Sequence, residues 1–117
     1  MYVLIIDDNP DDREMLQRAL HLHGHSTCWA NNVRAGIDQM RREPVDAVLL
    51  DLDLGPGLSG FDLLHRRMSD PTLSRIPIVV LTGFSRERVL SLILDGVLFM
   101  TKPVDIDELM AKLRRVP

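Results

Sequence analysis

Residues 2–12, YVLIIDDNPDD, decide the fold, because an apolar run there ends abruptly against four aspartates. The run begins at Tyr2 and is typical of a strand buried on both faces, as in a parallel sheet. It ends at Asp7, the first of the acids. Asn9 followed by Pro10 then predicts the start of a helix, since asparagine caps helices and proline fits the first helical turn. The acids therefore lie at a strand-to-helix turn, where open α/β sheets bind their ligands.

Further apolar runs along the chain predict four more strands. A short one is expected at HSTCWA, residues 25–30. The others resemble the first strand because polar residues follow each run. They are VDAVLLDLDL at residues 45–54, which reaches Asp51, RIPIVVLTG at residues 75–83, which reaches Thr82, and VLFM at residues 97–100, which precedes Lys102. Gly, Pro and polar residues separate the runs, as expected between short strands.

Amphipathic segments follow these strands and predict helices between them. The first has Met15, Leu16, Ala19 and Leu20 on one face and ends at Gly24. A second helix is expected to bury Val33, Ile37 and Met40. Three more are expected: one from about Phe61 to Ser69, one from near Ser85, and one from Asp105, where Glu108 completes a capping box. The order β-α, repeated five times with short connections, predicts an α/β fold: a doubly wound (βα)5 domain with a five-stranded parallel sheet.

The composition limits the kinds of partner that this chain is expected to bind. Its 117 residues fit one domain, residues 1–117. A net charge of −3 argues against direct binding to nucleic acid or to an anionic membrane surface. Cys28 is the single cysteine, which excludes an internal disulfide and fits a reducing compartment. Without an apolar run of bilayer length, the chain is expected to be soluble and cytoplasmic.

The carboxyl ends of parallel strands meet at one edge of the sheet, because the crossovers between them are right-handed. Three carboxylates brought together there repel one another and would take up protons unless a cation joined them. Mg²⁺ fits best, because it takes one or two carboxylates and keeps waters for phosphate oxygens. The polar residues expected in this crevice are Asp7, Asp8, Asp51, Thr82 and Lys102.

Two of these residues add groups that suit a phosphoryl ligand. Lys102 supplies a mobile positive charge and Thr82 a hydroxyl donor. A metal, an ammonium and a hydroxyl together clamp a phosphoryl group on three sides, which is what phosphoryl transfer chiefly needs. The nucleophile would then be the Asp51 carboxylate, and the product an aspartyl phosphate.

These motifs resemble those of the receiver domain of two-component response regulators, and the resemblance covers the whole chain. The motifs stand in the family's order: the acidic pair Asp7-Asp8, Asp51 in VLLDLDL, LTG with Thr82, and TKP with Lys102-Pro103. The resemblance implies a CheY-like fold with the flavodoxin-like strand order 2-1-3-4-5. The sequence departs from the family pattern in two places: the segment from Asp51 to Gly60 is slightly longer than usual, and that from Thr82 to Lys102 slightly shorter.

The resemblance also implies a role for each matching residue. Asp51 would accept a phosphoryl group from a histidine kinase or a histidine phosphotransfer protein. Asp7 and Asp8 would hold Mg²⁺ together with Asp51 and the main-chain carbonyl of Asp53, and Mn²⁺ would be an alternative ion. The domain would catalyse only its own phosphorylation and dephosphorylation.

The phosphorylated state would be read at a distance from the acids. By the resemblance, Thr82, the amide of Gly83 and Lys102 would bind the phosphoryl oxygens. Phe99 stands at the family's aromatic switch position and would turn inward as Thr82 moves. The helix near Ser85, the fifth strand and the last helix (the family's α4-β5-α5 surface) would then present a changed surface to an effector or output domain.

Alternative interpretations stay open for the function and for one helix. A pseudo-receiver would bind partners without chemistry. A haloacid-dehalogenase-like phosphatase would use Asp51 as nucleophile and Asp53 as acid. The helix expected near Ser85 carries more apolar residues than one buried stripe needs: Val89, Leu90, Leu92, Ile93 and Leu94. These residues indicate either a partner or homodimer surface or a broader contact with the core.

Overall fold

The fold is a five-stranded parallel sheet in the order β2-β1-β3-β4-β5, which confirms the predicted topology. The computed structural model describes residues 1–52, 60–83 and 97–116. The strands are β1 (Tyr2–Ile6), β2 (Ser26–Ala30), β3 (Ala47–Asp51), β4 (Ile78–Thr82) and β5 (Val97–Thr101). Pairing in register, such as Val3 with Thr27 and with Ala47, places β1 between β2 and β3.

Helices flank the sheet, and most of them match the predicted segments. Within the described part of the chain they are α1 (Pro10–Leu22), α2 (Val33–Arg42), α3 (Gly60–Arg67), α4 (Pro71–Ser74) and α5 (Ile106–Arg115). The short α4 was not predicted; Asp70 caps it by accepting hydrogen bonds from the amides of Thr72 and Leu73. The helix expected near Ser85, with its apolar excess, lies outside the described residues. No helix among those described is long and apolar enough to cross a membrane.

Two apolar layers cover the sheet because successive strand residues point to opposite faces. Leu4 and Ile6 of β1 pack toward α2 and α3, in a layer that also holds Val33, Ile37 and Met40. Val3 and Ile5 pack toward α1 and α5, in a layer that also holds Leu16, Leu20, Leu109, Met110 and Leu113. This arrangement is the doubly wound one expected from the alternation of strands and helices.

The helices α1 and α5 start where the capping residues in the sequence predict, but the buried face of α1 is narrower than predicted. The Asn9 side chain accepts hydrogen bonds from the amides of Asp11 and Asp12, and Pro10 is the first residue of α1. The Asp105 side chain accepts one from the amide of Glu108. Met15, predicted to be inward, is 47 % exposed and lies at the edge of the face that Leu16 and Leu20 bury.

Arg67 is a charged residue buried beside the connection from α3 to β4, with only 4 % of its surface exposed. Its Nη2 donates hydrogen bonds to the carbonyl of Ser74 at 3.1 Å and, at 3.4 Å, to that of Ile76. We expect Arg67→Met to lower the free energy of unfolding by about 2–3 kcal/mol, because both carbonyls lose a charged donor. Urea denaturation measures this loss.

Arg66→Met is the matched control, because Arg66 is the adjacent arginine but is exposed. Its free energy of unfolding should stay within about 0.5 kcal/mol of the wild-type value, as is usual for surface substitutions. Equal losses in the two variants would show that the Arg67 bonds to Ser74 and Ile76 do not stabilise the fold.

Candidate metal centre

Three carboxylates meet at the carboxyl edge of the sheet, where β1 and β3 end. One oxygen from each of Asp7, Asp8 and Asp51 lies within 4.8 Å of the others. Asp7 and Asp51 are 2 % and 4 % exposed, whereas Asp8 is exposed. The strand register brings them together, because β1 and β3 are neighbours and both strands end their pairing at this edge. The structure thus places the predicted acids in one cluster.

A lysine that directly follows β5 reaches into this cluster. The Nζ of Lys102 donates a hydrogen bond to Asp51 Oδ1 at 2.9 Å, and the Lys102 side chain is 30 % exposed. Its main-chain amide donates to the carbonyl of Thr82 at 2.8 Å, which continues the β4–β5 pairing beyond Thr101. The Lys102–Pro103 peptide is cis. The hydrogen bond to Oδ1 holds the ammonium beside Asp51, the predicted nucleophile.

Burial makes the ionised form of Asp7 costly. Removal from water raises the pKa of its carboxyl to about 6, and the charges of Asp51 and Asp12 act in the same direction. The amide of Asn9, which donates to Asp7 Oδ1 at 2.9 Å, and the charge of Lys102 lower that pKa and offset part of the effect. The cluster accordingly favours either a proton or a further cation.

The donor set fits a hard divalent cation. All three side chains offer carboxylate oxygens, the ligands that Mg²⁺ prefers, and one of the three is exposed enough for bound water to complete the coordination. Mn²⁺ accepts the same oxygen ligands. Asp7, Asp8 and Asp51 are the residues that would hold the ion, and its charge would offset both the burial and the repulsion that raise the pKa of Asp7.

The metal-free chain should lose stability as the pH rises through the titration of Asp7. Between 3.8, its ordinary pKa, and about 6, the folded state holds a proton that the unfolded state has released, so raising the pH favours unfolding. The loss is complete above pH 6. We therefore expect the free energy of unfolding of Asp7→Asn to rise relative to that of the wild type across this pH window. Urea denaturation in the presence of a chelator measures this difference. A pH-independent difference would contradict the raised pKa.

The remaining predicted site residues are placed as follows. Thr82 ends β4 and is 1 % exposed, and Gly83 follows it at the exposed edge. Phe99 lies half-buried in β5, paired in register with Val80. Asp53, and with it the carbonyl expected to bind the metal, lies outside the described residues. The roles inferred for all these residues stay predictions.

The structure adds two residues that the sequence patterns did not single out. Asp12 is one of the acids at the start of α1; its charge raises the pKa of Asp7, and it lines a groove of about 250 Å³ beside Lys102. Arg13 donates from Nη1 to the carbonyl of Asp7 at 2.9 Å. The sequence feature that could have identified Arg13 is its position one turn into α1, because side chains there point back toward the turn that precedes the helix.

Comparisons with known proteins identify relatives of this chain. A family model described as the response regulator receiver domain matches residues 3–114. The chain is 33 % identical over 116 residues to the protein PilH of Pseudomonas aeruginosa, covering 97 % of this chain and 95 % of PilH. It is 36 % identical over 115 residues to the probable transcriptional regulatory protein TcrX of Mycobacterium tuberculosis, covering 96 % of this chain but 47 % of TcrX.

A solved structure shows the same fold. The receiver domain of the sensor histidine kinase PA1611 from Pseudomonas aeruginosa superposes with a TM-score of 0.85 at 24 % identity, covering 98 % of this chain and 95 % of that one. A magnesium ion is coordinated in its active-site cleft.

The fold and the site define a class, flavodoxin-like α/β domains with an acidic cluster at the carboxyl edge of the sheet. The family model, which spans nearly the whole chain, narrows this class further. The chain belongs to the receiver domains of two-component response regulators. Phosphorylation on an aspartate is general for this family.

Proposed function

We propose that this chain is a phosphorylation-controlled switch in which Asp51 accepts a phosphoryl group from a histidine kinase or a histidine phosphotransfer protein. The observation that carries the proposal is the surroundings of Asp51. Its buried carboxylate ends a central strand, lies within 4.8 Å of two other carboxylate groups and contacts the Lys102 ammonium at 2.9 Å. A nucleophile, a cation and a hard-metal ligand set thus share one crevice.

The transfer needs one bond to form and one to break. An Asp51 carboxylate oxygen bonds to phosphorus while the bond from phosphorus to the donor imidazole nitrogen breaks, and the electron pair stays on that nitrogen. Lys102 would exchange its bond to Asp51 for one to a phosphoryl oxygen, and the Thr82 hydroxyl and the Gly83 amide would donate to the others. Mg²⁺, when bound by the three acids, would supply charge neutralisation for the transferring group.

The conformational change would pass from Thr82 to the neighbouring strand, β5. Thr82 ends β4 opposite Thr101, and Phe99 lies two residues earlier on β5. A shift of Thr82 toward a phosphoryl group changes the packing beside Phe99, which is half-buried and has room to change its exposure. We propose that β5, α5 and the helix expected near Ser85 form the surface that an effector reads.

The proposal also covers the setting in which the chain acts. Residues 1–117 would work as one receiver unit in the cytoplasm, where the free thiol of Cys28 is kept reduced. A receiver of this kind acts on no separate substrate, since it promotes only the gain and loss of its own phosphoryl group.

Stoichiometry separates this function from its alternatives. With labelled acetyl phosphate and Mg²⁺, we expect incorporation that saturates at one phosphoryl group per chain and that stops when the metal is chelated. Sustained turnover of simple phosphoesters without a covalent adduct would instead support a phosphatase. No incorporation, from acetyl phosphate or from a phosphohistidine donor, would support a pseudo-receiver.

A further inference from the structure

Arg13 joins three parts of the molecule next to the acidic cluster. Its Nη1 donates to the carbonyl of Asp7 at 2.9 Å and to Oδ1 of Asn31 at 2.8 Å. Its guanidinium carbon lies 4.0 Å from the centroid of the Trp29 ring. One side chain on α1 is therefore fixed by the turn after β1, the turn after β2 and the edge strand itself. This set of contacts is called here the Arg13 clamp.

The clamp acts on the peptide unit that orients Asp8. The carbonyl of Asp7 and the amide of Asp8 belong to one planar peptide, so holding that carbonyl sets the direction in which the Asp8 side chain leaves the backbone. The other side of Asp7 is fixed as well, since its amide donates to the carbonyl of Ala30 at 3.1 Å. Asp8 is the exposed member of the cluster, and burial does little to hold it in place.

The clamp is itself supported from the sheet edge. Trp29 is half exposed, and its main-chain carbonyl accepts a hydrogen bond from Nε2 of Gln39 at 3.0 Å. The planar guanidinium can stack on the ring and donate in its own plane at the same time. A lysine at position 13 could keep the charge but not both functions.

We propose that Arg13 is a positioning residue for the metal centre: through the carbonyl of Asp7 it orders the Asp7–Asp8 turn, and the stacked Trp29 ring keeps the guanidinium in place. The inference rests on the proposed function, because it concerns the affinity of the same acids for Mg²⁺. Groups that support metal ligands in this way commonly change metal affinity by about 10–100-fold.

The sign of the effect distinguishes positioning from simple electrostatics. Arg13 brings a positive charge close to the acids, so removing that charge alone would strengthen the binding of a divalent cation. Loss of an ordering contact weakens it. Arg13→Met is therefore expected to bind Mg²⁺ about tenfold more weakly than the wild type, although it carries less positive charge. Arg13→Lys is also expected to bind Mg²⁺ more weakly than the wild type.

The test is isothermal titration calorimetry of Mg²⁺ into the full chain, with thermal unfolding in a chelator measured for each variant. Arg18→Met is the matched control, because Arg18 lies on the same helix, is exposed and pairs with Glu14, an acid outside the cluster. It should bind Mg²⁺ within about twofold of the wild type. Trp29→Leu should weaken binding about threefold. In the Arg13→Met background it should weaken binding no further, since the ring acts through the guanidinium.

Each outcome decides something. Weaker binding in both Arg13 variants, with unfolding temperatures like that of Arg18→Met and non-additivity with Trp29→Leu, supports the positioning role. Unchanged or tighter binding in Arg13→Met, while the wild type binds Mg²⁺, overturns the inference and leaves the proposed function standing. A wild-type chain that binds no Mg²⁺ overturns both.

Discussion

The Lys102→Met chain is expected to take up a phosphoryl group at least about 100-fold more slowly than the wild type while binding Mg²⁺ at least as tightly. The ammonium is a charged donor that lies 2.9 Å from Oδ1 of Asp51, the proposed nucleophile. Removing one such preorganised donor commonly costs about 100–1,000-fold in rate. Metal binding should not suffer, because the same ammonium competes with a cation for Asp51. Adduct formation from acetyl phosphate and calorimetry of Mg²⁺ measure the two quantities.

The chain offers a matched control for this substitution, since it has one other lysine. Lys112 pairs with Glu108 on α5, with 3.7 Å between Nζ and Oε1. Lys112→Met should be phosphorylated at close to the wild-type rate. Equal rates for Lys102→Met and the wild type would mean that the ammonium does not stabilise the transferring phosphoryl group.

The second large effect is expected on metal affinity. Asp8→Asn should weaken Mg²⁺ binding by about 100-fold or more, because groups that only support a metal ligand are already worth about 10–100-fold. Asp8 supplies one of the three carboxylates in the cluster, and an amide oxygen there carries no charge. Calorimetric titration of Mg²⁺ gives the affinity directly.

Asp11→Asn controls for the charge that Asp8→Asn removes. Asp11 is an exposed acid in the first turn of α1 and is absent from the cluster. Its substitution should alter Mg²⁺ affinity by about threefold at most, through weak and screened electrostatics. If both variants bound the ion equally well, the acids after β1 would contribute only general negative charge.

Much of the fold was predictable because its signals are local. Asn9 and Pro10 mark the start of α1 with short-range capping chemistry, and the cap forms as expected. Apolar runs that end on polar residues gave the central strands, and the alternation of strands and helices gave the layers. The α4 turn was missed because the four residues from Pro71 to Ser74 carry too little periodicity to indicate a helix.

The candidate site was predictable in its members but not in its contacts. Parallel strands place Asp7, Asp51 and Lys102 at one edge, which topology alone requires. The 2.9 Å bond between Lys102 and Asp51 joins residues 51 positions apart, and no local pattern specifies such a distance. The same holds for the Arg13 clamp, which depends on how α1 sits against the end of β2.

The measurement that tests the central claim most directly is the intact mass of the chain after incubation with acetyl phosphate, with and without Mg²⁺. The account predicts one added phosphoryl group on the wild type in the presence of Mg²⁺ and none on Asp51→Asn. Asp38→Asn, which alters an exposed acid of α2, should gain the group as the wild type does. An equal adduct on Asp51→Asn, or a wild-type chain unmodified by both acetyl phosphate and a phosphohistidine donor, would contradict the assignment of Asp51 as phosphoacceptor.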